Sequence, residues 1–287
     1  MLKISKILLP IDFSASSADA ADAATAIAEH FQSQITLLHV LAPGFEPPLP
    51  TSGQRTVIHG FVRVEAEERM KYFRCDEWRR LDIQRVLKEG DPASTIAEYA
   101  ESEHFDLIMM PTHGYGPFRR LLLGSVTAKV LHDATCPVWT SVHSQERPTH
   151  VPAQPRRIAA AVDLGPHSGS VLRWAGRLSE EFKAPLSIIH VAPFDPRVEN
   201  YYFSPEWRDD VMREARVELT ELMRTAGITG ETHTEVGPIP DAVVERSRDL
   251  EADLLVIGRS GHSGHTGRLP TNAYAIIRKA PCPVLGV

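Results

Sequence analysis

The chain has 287 residues, of which 43% are hydrophobic and 24% charged, and its formal net charge is −6. This length suits two ordinary domains that each bury their own core, and the negative charge argues against a nucleic-acid partner. The first apolar run stops at Asp12, which makes it too short for a signal peptide or a membrane span. The three cysteines show no framework spacing, which indicates a reducing compartment. We therefore expect a cytoplasmic protein without a membrane partner.

The first half alternates short apolar runs, typical of strands buried on both faces, with longer amphipathic stretches. In chain order the predicted strands are 6–11, 35–40, 83–89, 106–110 and 137–142, and the predicted helices are 14–31, 62–81, 92–103 and 125–134. Because parallel neighbours need crossover helices, this alternation predicts a five-stranded parallel sheet with helices on both faces.

The second half repeats the first. The segment KILLPIDFSASS at 6–17 is echoed by IAAAVDLGPHSG at 158–169, and ITLLHV at 35–40 is echoed by LSIIHV at 186–191. A repeat of about 150 residues is too long for a solenoid unit and indicates two copies of a complete α/β domain. The predicted second-half elements are 157–162, 167–183, 186–191, 205–225, 231–236, 239–251, 253–257, 271–279 and 283–287.

The polar, Pro-rich stretch at 143–156 has no periodicity, and we interpret it as a linker between domain 1 (1–142) and domain 2 (157–287). The chain stops inside its last predicted strand, whose open edge needs a cover. The same strand of the other half is the expected cover, which would make the two doubly wound sheets a pseudo-symmetric pair.

Two long connections, 43–60 and 193–207, follow the second strand of each half. They leave the carboxyl ends of the strands, where open α/β sheets place ligands, so they are either lids or variable surface loops. If the protein were instead a carrier or enzyme for another small molecule, Tyr201, Tyr202 and Trp207 would contact that ligand.

The sharpest candidate site is DLIMMPTHGYGPFRRLLLGSVTAKVL, in which a buried strand ends at Met110 and Gly124-Ser125 opens a helix. Glycine N–H groups, a helix N-terminus and a Ser hydroxyl together suit a phosphate chain. Asp12 is expected at the same edge of the sheet. There it could accept hydrogen bonds from a ribose hydroxyl or an adenine amino group, or cap the following helix, or do both.

These motifs resemble the universal stress protein family. Its nucleotide-binding members carry G-x2-G-x9-G-[S/T] after the fourth strand and an Asp after the first. The resemblance covers both halves, including HV at the end of the second strand, GDPASTI before the third helix and CPV before the last strand. It implies a Rossmann-like five-stranded domain, association through the last strand and, in some members, bound ATP.

Neither copy keeps the whole pattern. In the first half Pro111 replaces the leading glycine, which removes an N–H and adds a ring. In the second half Gly258 and Gly261 are present, but the closing pair is Thr271-Asn272, preceded by Pro270.

The resemblance assigns Asp12 and Val40 to the base and ribose. It assigns Gly114, Gly124, Ser125 and Val126 to the phosphates, and Met110 and His113 complete this first candidate site. The second-domain candidates are Asp163, Val191, Gly258, Gly261, Thr271 and Asn272. We favour the first site, because its Gly-Ser pair holds the charged part of the ligand.

Other chemistries find little support. There is no P-loop motif, and GYGPFR follows the wrong strand for a dinucleotide fingerprint. The HSGH stretch at 262–265 supplies two imidazoles without a third metal ligand, so we predict no metal site. No nucleophile elbow is present, and the histidines have no spacing that assembles a triad.

We therefore expect a tandem stress-response protein that binds ATP, with or without Mg²⁺, as a nucleotide-linked switch and not as an enzyme beyond slow hydrolysis. We predict no catalytic residue, and the protein partners stay unknown. The alternative is a protein-interaction module without nucleotide. A homodimer beyond the intramolecular domain pair stays open.

Overall fold

The computed structural model describes residues 2–43, 52–114, 122–142, 154–193, 205–259 and 271–287, with side chains omitted at 52–59 and 205–207. The first half contains β1 (Lys6–Pro10), α1 (Ala15–Phe31), β2 (Gln34–Leu41), α2 (Ser52–Tyr72), β3 (Ile83–Glu89), α3 (Pro92–Ser102), β4 (Leu107–Met110), α4 (Ser125–Asp133) and β5 (Val138–Thr140). The second half contains β6 (Ile158–Val162), α5 (Ser168–Phe182), β7 (Leu186–Pro193), α6 (Pro205–Ala226), β8 (Glu231–Gly237), α7 (Ile239–Asp249), β9 (Leu254–Ile257), α8 (Thr271–Lys279) and β10 (Val284–Gly286).

The ten strands of the described residues form one sheet, in the order β3-β2-β1-β4-β5-β10-β9-β6-β7-β8. Neighbouring strands are parallel within each half, whereas β5 and β10 pair antiparallel, with Leu285 opposite Trp139. The predicted fold class is confirmed, and so is the expected pairing of the two last strands.

The sheet has a hydrophobic core on each face. Successive residues of β1 point to opposite sides, so that Ile7 and Leu9 pack beneath α1 while Leu8 packs beneath α3 and α4. The first core is covered by α1, α2, α5 and α6, and the second by α3, α4, α7 and α8. Each core contains residues of both halves, so the apolar layers continue across the β5–β10 pair.

The second helix of the first half differs from its prediction. It was predicted at 62–81, but α2 runs over Ser52–Tyr72, and the later residues form turns. Part of the stretch expected to be loop, including Gly60, is therefore helical. Arg74 adopts a left-handed φ of 49°, and Trp78 folds back to donate its indole N–H to Thr25 Oγ1 at 2.7 Å. The hydrophobic periodicity does not reveal this tertiary contact, and the predicted helix therefore ended too late, at residue 81.

The cysteines permit a direct test of the packing. Burial raises the pKa of Cys136 to about 11 and that of Cys282 to about 12, whereas Cys75 is exposed. Because the thiolate is the reactive form, native protein at pH 8 should react with a thiol reagent first at Cys75, and at least about tenfold more slowly at the other two. Peptide mapping of a labelling time course measures this. In Cys75→Ser the fast phase should vanish, and a remaining fast phase would contradict the packing.

Candidate functional site

A cavity of about 530 Å³ opens at the carboxyl ends of β1, β2 and β4. It brings together all eight candidates of the first half. The described residues that line it are Pro10, Ile11, Asp12, Ser17, Leu38, His39, Val40, Pro92, Ile96, Met110, Pro111, His113, Gly114, Leu122, Leu123, Gly124, Ser125, Val126, Thr127 and Tyr274.

Asp12 is the carboxylate of this cavity. Its Oδ1 accepts hydrogen bonds from the Ser14 N–H at 2.9 Å and the Ser17 hydroxyl at 2.7 Å. Burial opposes ionisation of Asp12, but these hydrogen bonds outweigh it and hold the pKa below its ordinary value. Ser14, and not Asp12, is the N-cap of α1. The Asp12 carboxylate is therefore ionised at neutral pH and held in place from one side.

Gly114 lies directly against that carboxylate. A Cβ atom at this position would overlap Asp12 Oδ2, so any other residue at 114 would displace the acid. The requirement for glycine here comes from space, since the second oxygen of Asp12 lies against the loop backbone.

The N-terminus of α4 forms the opposite wall. Gly124 is its N-cap and has no side chain to cap the first N–H groups of the helix, which belong to Ser125 and its neighbours. The Gly124 N–H donates to Thr112 O at 2.8 Å, and Thr127 Oγ1 donates to Pro111 O at 2.9 Å. Pro111 thus keeps a structural role through its carbonyl, although it has no N–H to offer a ligand.

Of the described histidines, His39 and His113 border the cavity. His39 donates from Nδ1 to Ile11 O at 2.8 Å, and burial lowers the pKa of its imidazole. His190 makes the matching contact with Val162 O at 2.9 Å, which shows the same structural role in both halves. His113 contacts Ser16 Oγ at 3.3 Å and Thr112 Oγ1 at 3.2 Å, so its ring is oriented at the cavity wall.

The second half reproduces the acid of the first-half site. Asp163 Oδ1 accepts from Gly165 N at 2.9 Å and Ser168 Oγ at 2.8 Å. Val191 is buried near the end of β7, and Gly258 follows β9. Gly261 lies outside the described residues, as do His262 and His265 and the two tyrosines at 201 and 202. Of Trp207 only the helical backbone is described.

The helices α4 and α8 are equal in length and bury equivalent positions. This register aligns Ser125 with Thr271 and Val126 with Asn272. Thr271 and Asn272 are exposed at the start of α8, and the residue equivalent to Gly124 is Pro270, outside the described part of the chain.

The whole chain matches known proteins. Residues 3–141 and 155–287 each match the universal stress protein family. The chain belongs to this family. A universal stress protein of Methanocaldococcus jannaschii is 36% identical over 135 residues, which cover 46% of this chain and 79% of that protein. One from Mycolicibacterium smegmatis is 25% identical over 296 residues and covers 98% of this chain and 96% of its own.

A solved structure shows the same fold. A universal stress protein from Archaeoglobus fulgidus aligns with a TM-score of 0.68 at 21% identity, covering 99% of this chain and 96% of that chain. The tandem architecture of the present universal stress protein is therefore found in another family member.

Sequence reasoning missed two features of the site. Ser17 follows Asp12 by five residues, and Ser168 follows Asp163 by five residues. This spacing, D-x4-S, occurs in both halves and could have revealed the two serines. Tyr274 had no such signal. It belongs to α8 of the second half, and Ala128 stands at the equivalent position of α4.

The described ranges contain neither a candidate metal site nor a candidate membrane span. Among these residues, no three His, Cys, Asp or Glu side chains are grouped closely enough to hold a metal ion. None of the helices within the same ranges combines the length and apolarity required to cross a bilayer.

Proposed function

We propose that this universal stress protein binds ATP in its first half and acts as a nucleotide-linked switch. The observation that carries the proposal is the pairing, in one cavity, of an ionised Asp12 with the uncapped N-terminus of α4 at Gly124-Ser125. The two groups recognise opposite ends of a nucleotide, since a carboxylate accepts from hydroxyl and amino groups and helix N–H groups donate to phosphate.

The size and remaining walls of the cavity support the same ligand. Its 530 Å³ falls within the usual range for small-molecule sites. Val40, Met110 and Ile96 supply apolar surface for the faces of a base, while Asp12 lies at the polar edge. An apolar slot beside one acid suits adenine and ribose.

Binding is favoured over turnover. The Asp12 carboxylate already accepts two hydrogen bonds at one oxygen, and its lowered pKa makes it a weak base. Nucleotide bound between Asp12 and the start of α4 would then change the surface that a protein partner meets.

The matched positions Ser125 and Thr271 provide the test. Ser125→Asp places a negative charge at a helix N-terminus, where it stabilises the helix but repels phosphate. Thr271→Asp makes the same change in the second half. ATP with Mg²⁺ at about 100 times Kd should stabilise wild type by roughly 2.7 kcal/mol. We expect Thr271→Asp to keep the resulting rise in melting temperature and Ser125→Asp to lose it.

Each outcome has a defined meaning. If both variants keep the shift, nucleotide binds outside the first-half cavity. If only Thr271→Asp loses the shift, the site lies in the second half. If wild type shows none at millimolar ATP, the nucleotide proposal fails and the interaction-module alternative becomes the better account.

A further inference from the structure

The first-half cavity is completed by a residue from the second half. Tyr274 of α8 lines it, and the phenolic oxygen accepts a hydrogen bond from the Leu123 N–H at 3.0 Å. Leu123 immediately precedes the Gly124-Ser125 pair at the start of α4. The hydroxyl of Tyr274 therefore lies beside the helix N-terminus that is proposed to hold phosphate.

The chemistry of the phenol gives it a further role. A tyrosine oxygen that accepts from a backbone N–H still carries its own proton as a donor. Phosphate oxygens are strong acceptors, and a donor next to a helix N-terminus adds to the same anion site. We propose that Tyr274 is a ligand-positioning residue, which donates its hydroxyl proton to the phosphate chain of a nucleotide bound in the first half. This inference rests on the proposed function.

The contribution runs in one direction. The shared burial pattern of the two helices gives Ala128 the position in α4 that Tyr274 has in α8, and alanine has neither the length nor a hydroxyl. A nucleotide in the second half would thus lack the reciprocal donor. The two halves share an architecture, but α8 serves the site of its neighbour, which supports nucleotide binding in the first half over the second.

Tyr274→Phe removes only the hydroxyl oxygen and its proton. Tyr99→Phe is the matched control, since Tyr99 lies on α3, packs against Phe105 and does not line the cavity. Binding of ATP is measured by calorimetry and binding of adenosine by ligand-observed NMR, on wild type and both variants. We expect about tenfold weaker ATP binding in Tyr274→Phe, adenosine binding within twofold of wild type, and unchanged binding of both ligands in Tyr99→Phe.

The adenosine arm separates positioning from packing, because a merely loosened cavity would weaken both ligands. Equal losses for ATP and adenosine would therefore overturn the inference, as would ATP binding by Tyr274→Phe at wild-type strength. In either case, ATP binding by the wild-type protein would still support the proposed function. If wild type binds no ATP, the proposed function fails and this inference fails with it.

Discussion

Replacing Arg259 with leucine is expected to lower the free energy of unfolding by about 3 kcal/mol. This side chain follows β9 in the second half, and its guanidinium reaches into the first. Nη1 donates to the carbonyls of Leu131 and Ala134 at 2.7 and 2.9 Å, and Nη2 donates to Cys136 O at 3.0 Å.

The physical reason is the position of these carbonyls. Leu131 and Ala134 lie at the carboxyl end of α4, where the helix dipole is negative and the last carbonyls lack helical partners. Burial lowers the pKa of Arg259, which reflects the cost of desolvating its charge. Leucine would avoid the cost of burying a charge, but it would leave the three carbonyl oxygens without hydrogen-bond donors. The loss of the hydrogen bonds is the larger effect.

Urea denaturation followed by circular dichroism measures the loss. Arg79→Leu is the control, because the Arg79 side chain is 76% exposed and its ion pair with Asp76 contributes little. Arg259→Lys keeps the charge without the fork, so an intermediate stability is expected. If Arg259→Leu were as stable as wild type, the guanidinium would not be what holds the end of α4.

Truncating Leu285 to alanine is expected to lower the free energy of unfolding by about 3 kcal/mol. Leu285 is 1% exposed in the middle of β10, directly opposite Trp139 of β5. Its side chain belongs to the core shared by both halves, so the deletion leaves a cavity at the junction of the two sheets.

The control for this variant is Val217→Ala. Val217 is 67% exposed, so its truncation should change the stability by less than about 0.5 kcal/mol. Since both cores continue across β5 and β10, wild type should unfold in one transition seen alike by near- and far-ultraviolet circular dichroism. Two separate transitions, or a Leu285→Ala protein as stable as Val217→Ala, would show that the halves are independent.

Much of the fold could be predicted because its information is local. Strands such as Leu107–Met110 are buried on both faces and therefore appear in the sequence as unbroken apolar runs. The equivalent strand of the second half, Leu254–Ile257, is also an unbroken apolar run. Because the two halves repeat each other, each prediction of a strand supports the other. The predicted end of α2 was wrong because Trp78 is placed by a distant partner, Thr25.

The candidate site divides in the same way. Asp12 and the Gly124-Ser125 pair were expected at one sheet edge because parallel strands bring their carboxyl ends together. The D-x4-S spacing was equally local and was overlooked. Arg259 and Tyr274 gave no local signal, since the equivalent residues, Thr112 and Ala128, carry different chemistry.

The sequence by itself determined the family, the two α/β repeats and the residues that each half presents at the carboxyl edge of its own sheet. These features can be read from hydrophobic periodicity and motif spacing, both of which lie within one repeat of about 150 residues. Only the tertiary structure decided that α8 and Arg259, just beyond β9, support the first half. That support depends on the antiparallel pairing of β5 with β10, which brings side chains more than 120 positions apart into hydrogen-bonding distance.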